Sequence, residues 1–161
     1  MRLIIIIALI SLSTLLGAWF FELVLGLDPC PLCLTQRLPH YMVVALGAIY
    51  IFYRKNLKAF LFLFAVLLIY STGLAAYHAG AEYGFWAGPT SCAGAKPIVS
   101  STIDLLKSIQ ETKIVDCTAV QWRLFGISLA GYNAIISAIL AAMALTLDPN
   151  RGNPSSSHAD N

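Results

Sequence analysis

The sequence predicts an all-α integral membrane protein: a bundle of four transmembrane helices, with a short interfacial helix in the second outward-facing loop. Three observations predict it. Only 11% of the residues are charged and 58% are hydrophobic, against about 25% charged in a soluble domain. Four apolar stretches approach the roughly 20 residues that a helix needs to cross a bilayer. Between them lie polar or Gly/Pro-punctuated segments, whose irregular backbone belongs outside hydrocarbon. The same totals exclude other classes. A net charge of +2 without a basic cluster offers nucleic acid no footprint, and four cysteines are too few for a disulfide scaffold.

The first span is expected at about residues 3–21. Leu3 to Phe21 is an apolar run of 19 residues behind Arg2. It exceeds the usual 7–15-residue core of a secretory signal and no A-x-A cleavage site follows, so it reads as a retained helix. Glu22 and Asp28 mark the exit from lipid. The second span is expected at about 34–53, with Thr35, Gln36 and Arg37 in its first turn at the interface. Pro39 is tolerable near a helix start. Arg54, Lys55 and Lys58 form a tight loop, and a third span follows at about 57–77.

A longer polar connection runs from His78 to Arg123, punctuated by Gly80, Gly84, Gly88, Pro89, Gly94 and Pro97. Within it Ile98, Thr102, Leu105, Leu106 and Ile109 recur at helical spacing, the pattern of a short amphipathic helix on the membrane surface. The last span is expected at about 124–147. Gly126, Ala130, Ala134, Ala138 and Ala142 fall every fourth residue, a spacing of small side chains that lets helices approach closely in lipid. Residues 1–147 thus form one membrane domain. The tail, 148–161, is polar and rich in Ser, Asn and Pro, a disordered composition.

Four spans put both termini on one side, together with Arg2, Arg54, Lys55, Lys58 and Arg151. The positive-inside rule makes that side the cytoplasm. Lys96, Lys107 and Lys113 lie in the longer outer loop, where the rule weakens. All four cysteines, Cys30, Cys33, Cys92 and Cys117, then face outward. In a bacterial inner membrane that means the oxidising periplasm, where disulfides persist.

Cys30 and Cys33 form a Cys-x-x-Cys pair that can close a small redox-active ring. Next to a helix start and a cation, such a pair favours a thiolate. Arg37, at i+4 from Cys33, lies one turn along the same helix face, where it can stabilise a thiolate or an anionic acceptor. The pair could equally be an inert disulfide or half of a metal site, although zinc wants four ligands and Cys92 and Cys117 lack local partners. If Cys92 and Cys117 were bonded, the closed loop would stabilise the fold by about 3 kcal/mol on a chain-entropy estimate. A purely structural staple fits that spacing. So does an accessible, exchange-prone bond in a Gly/Pro-rich loop. Two dithiol pairs on one face suggest a relay. No Cys-x-x-Cys-His or G-x-G-x-x-G is present, so the acceptor most available at the membrane edge is a lipid-soluble quinone.

These residues resemble the disulfide bond formation protein B (DsbB) family. The matching pieces are Cys30-Pro31-Leu32-Cys33 with Arg37, Tyr77-His78-Ala79-Gly80-Ala81-Glu82, and Trp86-Ala87-Gly88-Pro89-Thr90-Ser91-Cys92. They continue with Cys117, Gln121-Trp122 and Gly126-Ile127-Ser128-Leu129-Ala130-Gly131-Tyr132-Asn133. The resemblance covers nearly all of the chain except its tail. It implies a four-helix bundle that reoxidises a periplasmic DsbA-like thioredoxin-fold oxidase and reduces ubiquinone or menaquinone from the membrane pool. Cys92 would be attacked by the reduced partner, Cys117 would pass electrons to Cys30, and Cys33 would react with quinone beside Arg37. Pro31 and Gln36 are the main departures, at variable positions. The competing reading from another class is a membrane scaffold or transporter subunit with structural disulfides. A structural staple does not need Arg37 beside Cys33. A vitamin K epoxide reductase-like protein, with related chemistry, usually places its Cys-x-x-Cys late in the bundle.

Several further residues carry expectations. His78, with Glu82 at i+4, reads as a hydrogen-bond donor or proton source near the quinone, or as an interfacial capping pair. His40, one turn beyond Arg37, is a second candidate for the quinone pocket. Trp86, Trp122 and Tyr83 read as interfacial belt residues, as do Trp19, Phe20 and Phe21. Ser128 and Asn133 are expected to bond across helices, and Glu22 to sit among headgroups. His158 has no evident role.

Overall fold

The computed structural model describes residues 2–54, 56–89 and 117–146. Cys92, the expected interfacial helix between Ile98 and Ile109, and the tail from 148 lie outside the described residues. The described chain is mostly helical: α1 Arg2–Leu23, α2 Pro31–Tyr53, α3 Leu57–Glu82 and α4 Leu129–Thr146, with two-residue strands β1 Arg123–Leu124 and β2 Ile127–Ser128 leading into α4. Three of the helices, α1, α3 and α4, are long and apolar enough to cross a membrane. Their outward faces carry Leu9, Leu16, Phe62, Ile69, Ile135 and Ile139, all exposed, as suits lipid-facing surface. The chain is therefore a multi-pass membrane protein.

The helices start and stop where local chemistry dictates. α2 starts at Pro31, before the expected Leu34, because proline is pre-set for the first helical position and Cys30 caps it: the Cys30 Sγ accepts the Cys33 backbone N–H at 3.1 Å. Pro39 consequently lies two turns inside α2, not in its first turn. The α2–α3 turn passes through left-handed Arg54 and Asn56. α3 continues beyond Tyr77 to Glu82, carrying His78 and Glu82 on helix rather than in the loop.

α4 begins at Leu129, not near Leu124. The intervening residues fold into an antiparallel hairpin pairing Arg123 with Ser128 and Leu124 with Ile127. Phe125 and Gly126 occupy its turn, both at positive φ, the conformation that tight two-residue hairpins require. Ser128 then caps α4, its Oγ accepting the Gly131 N–H at 3.2 Å. Tyr83 holds the hairpin from α3: its hydroxyl donates to Gly126 O at 2.8 Å and accepts from Ser128 N at 3.3 Å.

α3 makes its most extensive packing with α4, and α2 lies between α1 and α3. The buried core at one end is apolar: Ile4, Ile7, Val43, Phe64, Leu68 and Leu140. The expected every-fourth stripe on α4 is not its contact face. Ala138 and Ala142 are exposed, while Ala130, Ser137, Ala141 and Ala144 are buried. A four-residue repeat advances about 400° and drifts around the helix, whereas Ala130, Ser137 and Ala144 repeat every seven, the period that keeps one seam toward a partner.

Gly47 sets the α1–α2 separation. A Cβ there would come within 2.8 Å of Ala8 Cβ, a backbone-borne atom that cannot swing away. Gly47→Ala is therefore expected to destabilise the bundle by about 1–3 kcal/mol. Gly73→Ala, where nothing lies within 4 Å, should be near neutral. Reversible unfolding in mixed detergent micelles checks both.

Candidate active site

Because Cys30 is the N-cap of α2, its sulfur sits where backbone N–H groups and the helix dipole favour negative charge. It is buried at 3% exposure and touches three groups. Cys33 Sγ is 2.6 Å away. His78 Nε2, from the end of α3, is 3.6 Å away. The Cys117 sulfur, from the segment before the hairpin, lies within 4.8 Å of both Cys30 Sγ and a ring nitrogen of His78. Cys30 and Cys33 are free thiols, whereas Cys117 is disulfide-bonded. The hydrogen bond from the Cys33 thiol is the main reason that the Cys30 thiol is pushed down from 9.0 to about 5. Burial opposes this and His78 assists it. Cys30 is thus a thiolate at neutral pH, facing a disulfide sulfur.

Cys30, His78 and Cys117 also have the proximity of a metal-ligand group. A disulfide sulfur offers no thiolate to a cation, however. In this state the arrangement suits sulfur exchange, in which a thiolate attacks a disulfide.

Cys33 faces a second environment. It lines a cavity of about 360 Å³ together with Gln36, Arg37, His40, Glu22 and Asn133, within the size range of small-molecule sites. The walls are otherwise largely apolar, with Leu15, Phe21 and Ile136 among them. Arg37 Nη1 donates to Glu22 Oε2 at 2.5 Å and Nη2 to Ala18 O at 3.4 Å. The guanidinium is thereby held from α1 in the wall of the cavity that Cys33 also lines.

Of the residues singled out from the sequence, Cys30, Cys33 and Cys117 come together, and Arg37 and His40 line the cavity with Cys33. His78 does not line it. Its ring packs behind Cys30, with Nε2 3.2 Å from Cys117 O, Nδ1 2.7 Å from Gln36 Nε2 and Nε2 4.0 Å from Glu82 Oε1. Asn133 does bond across helices, to Gln36 at 2.9 Å and His40 at 2.9 Å.

Three residues do more in the structure than their sequence positions predict. Glu22, expected among headgroups, is the partner of Arg37; a lone acid at the end of an apolar run facing a lone arginine was the available signal. Gln36, noted only as a variable position, joins His78 to Asn133. Trp122, expected in the interfacial belt, lines the cavity and packs on Phe21 with ring centroids 4.9 Å apart. Trp86 instead lies on α3, bonding Tyr77 O at 2.9 Å over Gly80, where any Cβ would strike its ring.

Fold and site define a class: a multi-pass helical membrane protein that presents a free thiol pair to a disulfide sulfur. Comparison with known proteins narrows this. The family model "Disulfide bond formation protein DsbB" matches residues 1–147, so the chain belongs to the DsbB family and is a disulfide-forming oxidoreductase of that kind. Similar relatives include the disulfide bond formation proteins B of Marinobacter nauticus, 27% identical with 92% of each chain covered, and of Polaromonas naphthalenivorans, 29% identical with 91% of this chain and 89% of that one covered. An uncharacterized protein of Rickettsia prowazekii is 28% identical, with 83% of this chain and 77% of that one covered.

The charge state of Cys30 is directly measurable. In the form with Cys30 and Cys33 reduced, thiolate absorbance at 240 nm is expected to be full at pH 7 and to fall as pH drops through about 5. An ordinary thiol would titrate near 8.5. Cys30→Ser should remove the signal.

Proposed function

We propose that this chain is a thiol:quinone oxidoreductase that reoxidises a periplasmic DsbA-like thioredoxin-fold oxidase and passes the electrons through two disulfides to ubiquinone or menaquinone. One observation carries the reading. Cys30 lies within 4.8 Å of the Cys117 sulfur on one side, and its partner Cys33 lines a cavity shared with Arg37 on the other. The pair is therefore a junction between a disulfide and a small-molecule site. A scaffold with structural disulfides has no use for a free thiol pair there.

In this reading the reduced partner attacks Cys92, which frees the Cys117 thiolate. Cys117 attacks Cys30 of the Cys30–Cys33 disulfide and releases Cys33. The partner's second thiol attacks its mixed disulfide and leaves oxidised; the freed Cys92 attacks Cys117 and releases Cys30, so that the Cys92–Cys117 bond is closed and Cys30 and Cys33 are reduced. The Cys30 thiolate and the Cys33 thiol then give up two electrons and the Cys33 proton and close as a disulfide, and the quinone, taking its second proton from water, becomes hydroquinone. Arg37 stabilises negative charge developing on the ring oxygen, a donor aimed at transition-state charge, and Glu22 positions it. His78 Nε2, 3.6 Å from Cys30 Sγ, supports the negative charge of that sulfur.

The membrane arrangement follows from the same reading. α2 is the fourth span of a four-helix bundle formed by residues 1–147. Its lower apolarity is the consequence of carrying Gln36, Arg37 and His40. Both termini and the 148–161 tail are cytoplasmic, the cysteine segments face the periplasm, and the lipid is that of the bacterial inner membrane.

Purified protein in lipid should oxidise a reduced DsbA-like partner only when quinone is supplied, and arms with ubiquinone and menaquinone identify the acceptor. Cys33→Ser and Cys92→Ser should each abolish turnover, and unchanged turnover in either would sink the relay. Arg37→Met should raise the quinone KM by about tenfold or more, the scale of losing one charged hydrogen bond.

A further inference from the structure

The side chains between the thiols and the cavity form one hydrogen-bonded chain: His78, Gln36, Asn133, His40. Its direction is set at the thiol end. Cys117 O can only accept, so His78 Nε2, 3.2 Å away, carries a hydrogen. The bare Nδ1 then accepts from Gln36 Nε2 at 2.7 Å. The nitrogen of an amide can only donate, so Nδ1 is the accepting end of this bond. Gln36 presents its oxygen to Asn133 Nδ2 at 2.9 Å. Asn133 in turn presents Oδ1 to His40 Nε2 at 2.9 Å. An amide has one donating and one accepting end, so each link dictates the next. His40 carries its hydrogen on Nε2, and its Nδ1 is a bare acceptor.

That Nδ1 is buried without a hydrogen-bond partner among the described residues. The His40 side is otherwise committed: Ser71 Oγ and Ser137 Oγ lie 3.5 and 3.4 Å from Nε2, not Nδ1. His40 is 1% exposed and lines the cavity. Buried polar atoms in folded proteins nearly always have a partner, and the cavity is where one could sit. The partner must be a donor. Both oxygens of a quinone are acceptors, whereas both oxygens of a hydroquinone carry hydrogen.

We infer that His40 recognises the reduced form of the acceptor, its Nδ1 accepting a hydroxyl hydrogen from hydroquinone in the cavity. This rests on the quinone reading above and deepens it by giving the site a preference for product. A site that holds hydroquinone more tightly than quinone draws the final two-electron transfer forward, by the ratio of the two affinities, and product inhibition accompanies it. The preference belongs to His40, a residue distinct from the cysteines and from Arg37, whose donors suit either form.

The test uses the full chain in lipid nanodiscs with both disulfides closed, so that no electrons are available to the probe. The probes are ubiquinone-1 or menaquinone-1, whichever sustains turnover, each compared with its chemically reduced form. The protein has three histidines. With nitrogen-15 in their rings, the His40 Nδ1 signal is assigned by its absence in His40→Gln. The reduced probe should move that signal toward the hydrogen-bonded position, and the oxidised probe should leave it in place. His40→Leu should weaken binding of the reduced probe by about tenfold, the scale of one hydrogen bond, with oxidised-probe affinity within about twofold. Should His40→Leu fail to fold, the wild-type signal alone decides. Binding of both forms with an unmoved Nδ1 signal, or an equal shift with each, overturns the inference and leaves the quinone reading standing. Binding of neither form, with turnover that needs no quinone, overturns that reading and this inference with it.

Discussion

The contact between the Cys30 sulfur and the start of α2 is the constraint on which the site depends. A sulfur in the N-cap position accepts a backbone N–H that the helix leaves without a partner, and the same helix end favours its ionised form. The position also fixes the neighbours. Three residues on, Cys33 falls on the first turn against Cys30. Gln36, Arg37 and His40 follow on the adjoining turns, where the i+3/i+4 spacing of a helix places them along one side. One cap therefore orders the thiol pair, the cation and the polar residues of the cavity wall. The Cys117 sulfur lies within 4.8 Å of Cys30 and the cavity is lined by Cys33, so the two are separated only by the width of the Cys30–Cys33 pair.

A second constraint is the burial of polar side chains within a largely apolar bundle. His40, Ser71, Ser137, Gln36 and His78 are all buried, and an unsatisfied polar group costs more there than in water. They meet the cost collectively. Ser71 and Ser137 bond each other at 3.1 Å across α3 and α4, and the amides of Gln36 and Asn133 join the imidazoles at either end. Individual bonds of this kind in membrane proteins average only about 0.6 kcal/mol, so their larger effect is to fix orientation. Each link permits one donor–acceptor direction, so the orientation at Cys117 O is carried through Gln36 and Asn133 to the His40 ring. The apolar end of the bundle, around Phe64 and Leu140, supplies packing and carries no such information.

The placement of Arg37 illustrates how far a charge at a membrane edge depends on a partner from another helix. Its guanidinium is only 13% exposed, and Glu22 from α1 neutralises it there. A buried pair of this sort gives little net stability. Its consequence is geometric: Arg37 is held against α1, in the wall of the cavity that Cys33 lines.

Much was legible in the chain itself. Apolar runs bounded by Arg2, Glu22 and Arg54 declare helices because hydrophobic length is a local property. The Cys-x-x-Cys beside a helix start declares a redox-active thiol pair because residue type and spacing are local, whereas the start at Pro31 with Cys30 as its cap, three residues before the expected Leu34, was decided by the structure. The proximity of Cys30, Cys33 and Arg37 follows from the helical repeat. What the tertiary structure decided are relations between residues far apart in sequence: Glu22 with Arg37, Gln36 with His78 across 42 positions, His40 with Asn133 across 93. No periodicity encodes such pairs, since they depend on how helices rotate and how deep each is set. The same rotation made the seven-residue seam of Ala130, Ser137 and Ala144 the contact face of α4, over the more conspicuous four-residue stripe. It also placed His78 behind Cys30, outside the cavity. The sequence by itself determined which chemistry the chain carries, because residue types and local spacing are sufficient for that. Only the packed bundle decided which atom faces which, because hydrogen-bond direction and cavity shape exist only once separate helices share one interior.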